Sequence, residues 1–133
     1  MSQTNELEIM ERIALDLERV EESLASSFNT GAEDFNALIR PLSAAGGKRL
    51  RAQLCLLIAN AGTSIERQRI KIAEAVEMLH LATLIHDDVL DQAEIRRGED
   101  TIHMHKGNKV AILSGDYLFA KAFKIVSEMT NMK

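Results

Sequence analysis

Apolar positions recur at helical spacing through most of this chain, and polar residues fill the gaps between them. Leu7, Met10, Ile13, Ala14, Leu17, Val20 and Leu24 return every three or four residues among Glu and Arg. That pattern predicts an amphipathic helix from about Glu6 to Ser27, packing on this chain or on another. Asn29-Thr30-Gly31 breaks it. A short segment, Ala32 to Ile39, is expected to stop before Pro41, because proline lacks an amide donor and crowds the preceding turn. Ser43-Ala44-Ala45-Gly46-Gly47 leads into a third helix through about Ala59, closed by Asn60-Ala61-Gly62. Ser64 and Arg67 stand near the start of the next helix, which runs from about Ile65 to Asp91. Its expected buried face is Ile72, Val76, Leu79, Thr83 and neighbouring Ala and Leu. The stretch Gln92 to Gly107 reads as a polar connection. A last helix follows from about Asn108 to Met129, its apolar pattern interrupted at Gly115-Asp116. No alternating strand pattern or repeat appears, so the expected fold class is all-α, one helical domain over residues 1–133.

Composition agrees. The chain is 46% hydrophobic but only 4% aromatic, with no Trp, which suits helices packed by aliphatic side chains. Sixteen basic and twenty acidic residues leave a net charge of −4, a poor basis for nucleic-acid binding through bulk positive charge. Cys55, the single cysteine, sits in the run Leu54-Cys55-Leu56-Leu57-Ile58 and reads as a small buried hydrophobe. The first residues lack the basic segment and apolar core of a secretory signal. No apolar run approaches the roughly 18 residues that read as a membrane span, so no transmembrane segment and a cytoplasmic location are expected.

Two stretches carry candidate chemistry. The first is Leu84-Ile85-His86-Asp87-Asp88-Val89-Leu90-Asp91, followed by Arg96-Arg97-Gly98. Asp87 and Asp91 share a helix face, where carboxylates one turn apart repel each other and oppose the negative end of the helix dipole. A divalent cation, magnesium by preference, holding a phosphorylated substrate would relieve both penalties. A solvated ion-pair network with Arg96 and Arg97 is the plainer alternative. His80, Thr83 or Leu84, Asp87 and Asp91 fall along one stripe amid Leu79, Leu81 and Ile85, as expected of a polar wall on a pocket. The second stretch is Gly46-Gly47-Lys48-Arg49-Leu50-Arg51. Glycines before a helix allow close backbone approach to an anion, and Lys48 and Arg51 supply charge. An ordinary turn with surface cations is the alternative.

Taken together, GGKRLR (Gly46 to Arg51), HLATLIHDDVLDQAEIRRG (His80 to Gly98) and GNKVAILSGDYLFAKAF (Gly107 to Phe123) resemble the N-terminal half of a trans-polyprenyl diphosphate synthase. The likeness covers about residues 42–123. It implies an isoprenoid synthase-type helical bundle, of which only the first half is present. It implies Asp87 and Asp91, with Asp88 in support, as ligands of Mg2+ that bridges to an allylic prenyl diphosphate. Arg96 would contact that diphosphate, and Gly47, Lys48, Arg51, His80 and Arg97 would hold isopentenyl diphosphate. Ala82 and Thr83, small residues one turn before the aspartates, with Leu79 deeper, would set chain length and favour a medium or long product. Ala52 departs from the family, which usually has proline there, and this puts the rigidity of the loop in question.

The second aspartate-rich motif of that family is missing, so the chain alone is expected to be inactive. It reads as one subunit of a split synthase completed by a second protein subunit. A truncated piece of a longer enzyme, a non-catalytic regulatory or chain-length-setting subunit, and a helical interaction module remain open.

Overall fold

The computed structural model describes residues 3–44, 47–62 and 65–129. These form helices α1 (Gln3–Ser27), α2 (Glu33–Ala44), α3 (Leu50–Asn60), α4 (Glu66–Leu90), α5 (Ile102–Lys106) and α6 (Asn108–Met129). A hairpin of two short strands, β1 (Ile95–Arg96) and β2 (Glu99–Asp100), lies between α4 and α5. The central element is α4, which packs against α1, α3 and α6. The core is aliphatic, as the composition requires: Val20 and Leu24 of α1, Ile39 of α2, Leu56 of α3, Met78 and Leu81 of α4, and Leu118 of α6 are all buried. Only the C-terminal part of α1 docks on this core; Leu7, Met10 and Leu15 are exposed.

Buried charges tie α1 to its neighbours. Asp16 accepts from Arg69 Nε at 2.7 Å and Nη2 at 3.1 Å, and from Asn60 Nδ2 at 3.2 Å. Burial alone would raise the Asp16 pKa, but these hydrogen bonds and the Arg69 charge outweigh it and hold the carboxyl below its ordinary value. Glu74, fully buried, accepts from Ser23 Oγ at 2.5 Å, from Ser27 Oγ and from Lys71 Nζ at 3.0 Å. A buried carboxylate is tolerated because its oxygens are satisfied.

Several expectations from the pattern need correction. Pro41 lies inside α2, which continues to Ala44. The carbonyl it leaves without a partner belongs to Ala37, which is exposed together with Pro41, so water can replace the lost bond. The buried surface of α4 is not the Ile72-Val76-Leu79-Thr83 stripe; the first three are half-buried and Thr83 is exposed. Helices cover α4 on two sides, so burial spans two adjoining stripes that include Ile70, Ala73, Met78, Leu81, Ala82 and Ile85. Cys55 is half-buried. The polar connection is structured, containing the hairpin and α5. As expected, α6 runs unbroken through Gly115-Asp116: Gly115 is where the His86 ring of α4 rests, and an added Cβ would come within 2.2 Å of His86 Nε2. Ala45, Gly46 and Ser64 lie outside the described residues.

Candidate functional site

The aspartates sit at the end of α4, and the hairpin folds back beside them. Its two-residue loop, Arg97-Gly98, has positive φ at both positions, 52° and 82°. That is the signature of a tight turn whose twist matches the strands, in register Ile95 opposite Asp100 and Arg96 opposite Glu99. The hairpin is closed by the Ala93 carbonyl, which accepts from Thr101 Oγ1 at 2.8 Å and from His103 Nε2 at 2.5 Å. His103 is therefore a half-buried structural residue, whereas His105 is exposed.

This fold-back separates the three aspartates. Asp88 is buried, and its carboxylate takes a two-pronged grip from Arg96, with Nε to Oδ2 at 2.9 Å and Nη2 to Oδ1 at 2.6 Å. Donating to the Asp88 carboxylate raises the Arg96 pKa above its already high value. Asp87 and Asp91 are exposed. The expected stripe splits accordingly. His80, Leu84 and Asp88 line a cavity of about 100 Å³ together with Arg96, Arg97 and Leu38. Thr83, Asp87 and Asp91 lie on the adjoining exposed stripe. Among the described residues no three His, Cys, Asp or Glu side chains converge as a complete metal cage. Asp87 and Asp91 nonetheless offer hard oxygen donors on one open face, which suits a cation that takes its other ligands from a phosphorylated substrate and water.

Further cations meet the cavity residues His80 and Arg97. Arg51 Nη1 lies 3.2 Å from His80 Nε2. Burial and then the Arg51 charge lower the His80 pKa from its ordinary 6.5, with Arg96 and Arg97 adding to the effect and Glu77 opposing it. Gly47, at φ 71°, has its Cα hydrogen where a Cβ would stand 3.2 Å from Arg97 Nη1. The absent side chain lets the hairpin tip and the glycine turn, far apart in sequence, bring Arg97 against the loop. Lys48 lies in that turn, before α3 begins, and is exposed. The structure thus brings Gly47, Arg51, His80, Arg96 and Arg97 to one electropositive neighbourhood at the aspartate end of α4.

Ala82 and Thr83 part company. Ala82 is fully buried in the packed core, while the exposed Thr83 stands on the Asp87 stripe, its hydroxyl donating to the His80 carbonyl at 2.7 Å. Leu79, half-buried, continues that stripe. Sequence reasoning missed Glu77 and Arg49. Both are buried and joined at 3.4 Å, and Glu77 also accepts the Ala52 amide at 3.0 Å. The departure from proline at position 52 thus supplies a donor that proline lacks. For Glu77 the available signal was a charge flanked by apolar residues, Ala75-Val76 and Met78-Leu79; Arg49 was masked by its basic neighbours Lys48 and Arg51.

The family model described as polyprenyl synthetase matches residues 32–133. A geranylgeranyl diphosphate synthase of Methanosarcina mazei is 45% identical over 102 residues, covering 77% of this chain and 32% of that protein. Heptaprenyl diphosphate synthase component 2 of Geobacillus stearothermophilus is 39% identical over 117 residues, covering 87% and 36% respectively. The structure resembles a polyprenyl synthase from Caulobacter crescentus CB15, solved with calcium and isoprenyl diphosphate. The TM-score is 0.83 at 36% identity, over 90% of this chain and 37% of that one. The chain spans about a third of the length of the curated relatives it matches. With its helical architecture and a family-model match over most of its length, this chain belongs to the polyprenyl synthetase family.

Proposed function

We propose that this chain supplies one half of a prenyltransferase site that joins isopentenyl diphosphate to an allylic diphosphate. The observation that carries the reading is the pairing of an open carboxylate face, Asp87 and Asp91, with the cations Arg51 and Arg97 gathered about His80 on the same helix. In this reading Asp87 and Asp91 hold magnesium, which when bound neutralises the diphosphate as it leaves. Asp88 orients Arg96 beside the allylic diphosphate. Lys48, Arg51, His80 and Arg97, with the Gly47 turn, hold isopentenyl diphosphate. His80, its pKa held low by burial and the Arg51 charge, donates or accepts hydrogen bonds beside three arginines. The aliphatic helices exclude water from the allylic cation.

The growing tail follows the exposed stripe away from Asp87, past Thr83 towards Leu79. Small Thr83 favours a medium or long product. Thr83→Phe should therefore shorten products, while Phe at the packed Ala82 mainly strains the core.

The remaining ligands lie on residues this chain does not contain, either continuous with it in a longer enzyme or on a second subunit. The name of the Geobacillus relative, component 2 of a synthase, favours a multi-chain assembly. The test supplies the chain with a polypeptide carrying a second aspartate-rich helix, magnesium, labelled isopentenyl diphosphate and an allylic primer. Labelled polyprenyl product, lost when Asp87 and Asp91 are both replaced by Ala, is the expected result. Turnover that survives the double substitution would instead mark the chain as a regulatory subunit.

A further inference from the structure

Resting on that reading of the cationic cluster, we infer that Glu77 is a positioning residue. It holds the turn bearing Lys48, and the start of α3 bearing Arg51, at a fixed distance from His80. Glu77 is 2% exposed and stands one turn before His80 on α4. Its two oxygens grip two points of the segment that carries the cations. Oε2 receives Arg49 Nη1 at 3.4 Å, and Oε1 receives the Ala52 amide at 3.0 Å. Ala52 belongs to the first turn of α3, whose amides have no partner within the helix, so Glu77 caps α3 from a neighbouring helix.

Arg49 is itself held at φ 52°, an unfavourable conformation for a residue with a Cβ. What fixes it is its set of partners: Glu21 Oε1 accepts from Nε at 2.5 Å, and Nη2 donates to the Ser43 carbonyl at 2.6 Å and to Ser43 Oγ at 3.1 Å. Arg49 ends the turn and α3 begins at Leu50, so Lys48 and Arg51 flank the buried anchor in sequence. Arg51 then reaches His80 at 3.2 Å. Arg49 borders the cavity, but it is only 5% exposed and its guanidinium is taken up by Glu21, Ser43 and Glu77. The anchor therefore acts through Lys48, Arg51 and His80.

The probe is inorganic pyrophosphate, titrated calorimetrically into the full chain at fixed ionic strength. Glu77→Gln keeps an acceptor for the Ala52 amide but removes the counter-charge of Arg49. It should weaken pyrophosphate binding about tenfold, the scale of coupling between contacting residues. It should also speed amide exchange at residues 47–51 with helix content unchanged. In an Arg51→Ala background the same substitution should cost almost nothing more, because the cation it positions is gone. Fully additive losses, or unchanged exchange at residues 47–51, would overturn the proposal. If pyrophosphate binding is absent, or indifferent to Arg51→Ala, the reading of the cluster fails, and amide exchange alone still decides the role of Glu77. Ala52→Pro removes one donor only and carries the same readouts should Glu77→Gln not fold.

Discussion

His80 shows how much of the site is set by neighbours rather than by residue type. Its ring is partly desolvated and faces Arg51, so its pKa lies below the ordinary 6.5. The unfolded chain then takes up a proton at a higher pH than the folded one. Stability is fully present above the ordinary imidazole value and falls as pH drops through it towards the lowered folded value. A bound diphosphate reverses the local field. Proton NMR of the His80 ring should show titration below 6.5 in the free chain and an upward shift when pyrophosphate is added. A pKa indifferent to pyrophosphate would place the anion elsewhere. Gly47 makes the complementary case. Gly47→Ala forces a Cβ into a positive-φ position and against Arg97 Nη1 at 3.2 Å, so it should weaken pyrophosphate binding several-fold, as calorimetry can measure. The sequence singled out Gly47 and Arg97 as neighbours in chemistry. It could not show that they touch, because contact depends on a hairpin turn too short to leave a period.

At the scale of elements, long helices were legible because their period repeats over many residues. The limits of α1, α3, α4 and α6 fall within a few residues of those expected. Pro41 was misread because its cost depends on whether the orphaned carbonyl faces solvent, which one chain's pattern does not record. The α4 face was misread because an element covered on two sides has no single stripe. That Arg96 grips Asp88 rather than Asp87 or Asp91 was not legible for the same kind of reason: Arg96 arrives through the hairpin. Two substitutions test the element contacts. Asp16→Ala leaves Arg69 without its buried partner and should cost about 3–5 kcal/mol in denaturant unfolding, the usual penalty for breaking such a pair. Gly115→Ala should push the His86 ring off the Ile112 carbonyl, which it meets at 3.0 Å. The His86 ring resonances report this directly, and an unmoved ring would mean that α4 and α6 have slack between them.

At the scale of the whole molecule, apolar faces remain open. Leu50, Leu54, Leu57 and Ile58 on α3, and Ile112, Leu113, Phe123 and Val126 on α6, are exposed. Faces of that extent normally meet another surface, and the chain should enhance the fluorescence of a hydrophobic dye until it is assembled. Relatives about three times as long have further chain with which to cover them. The most direct test of the central claim is calorimetric titration of an allylic diphosphate into the assembled protein, with and without magnesium. The account predicts tight uptake that requires the metal and disappears when Asp87 and Asp91 are replaced by Ala. Equal affinity without magnesium, or with both aspartates gone, would contradict it.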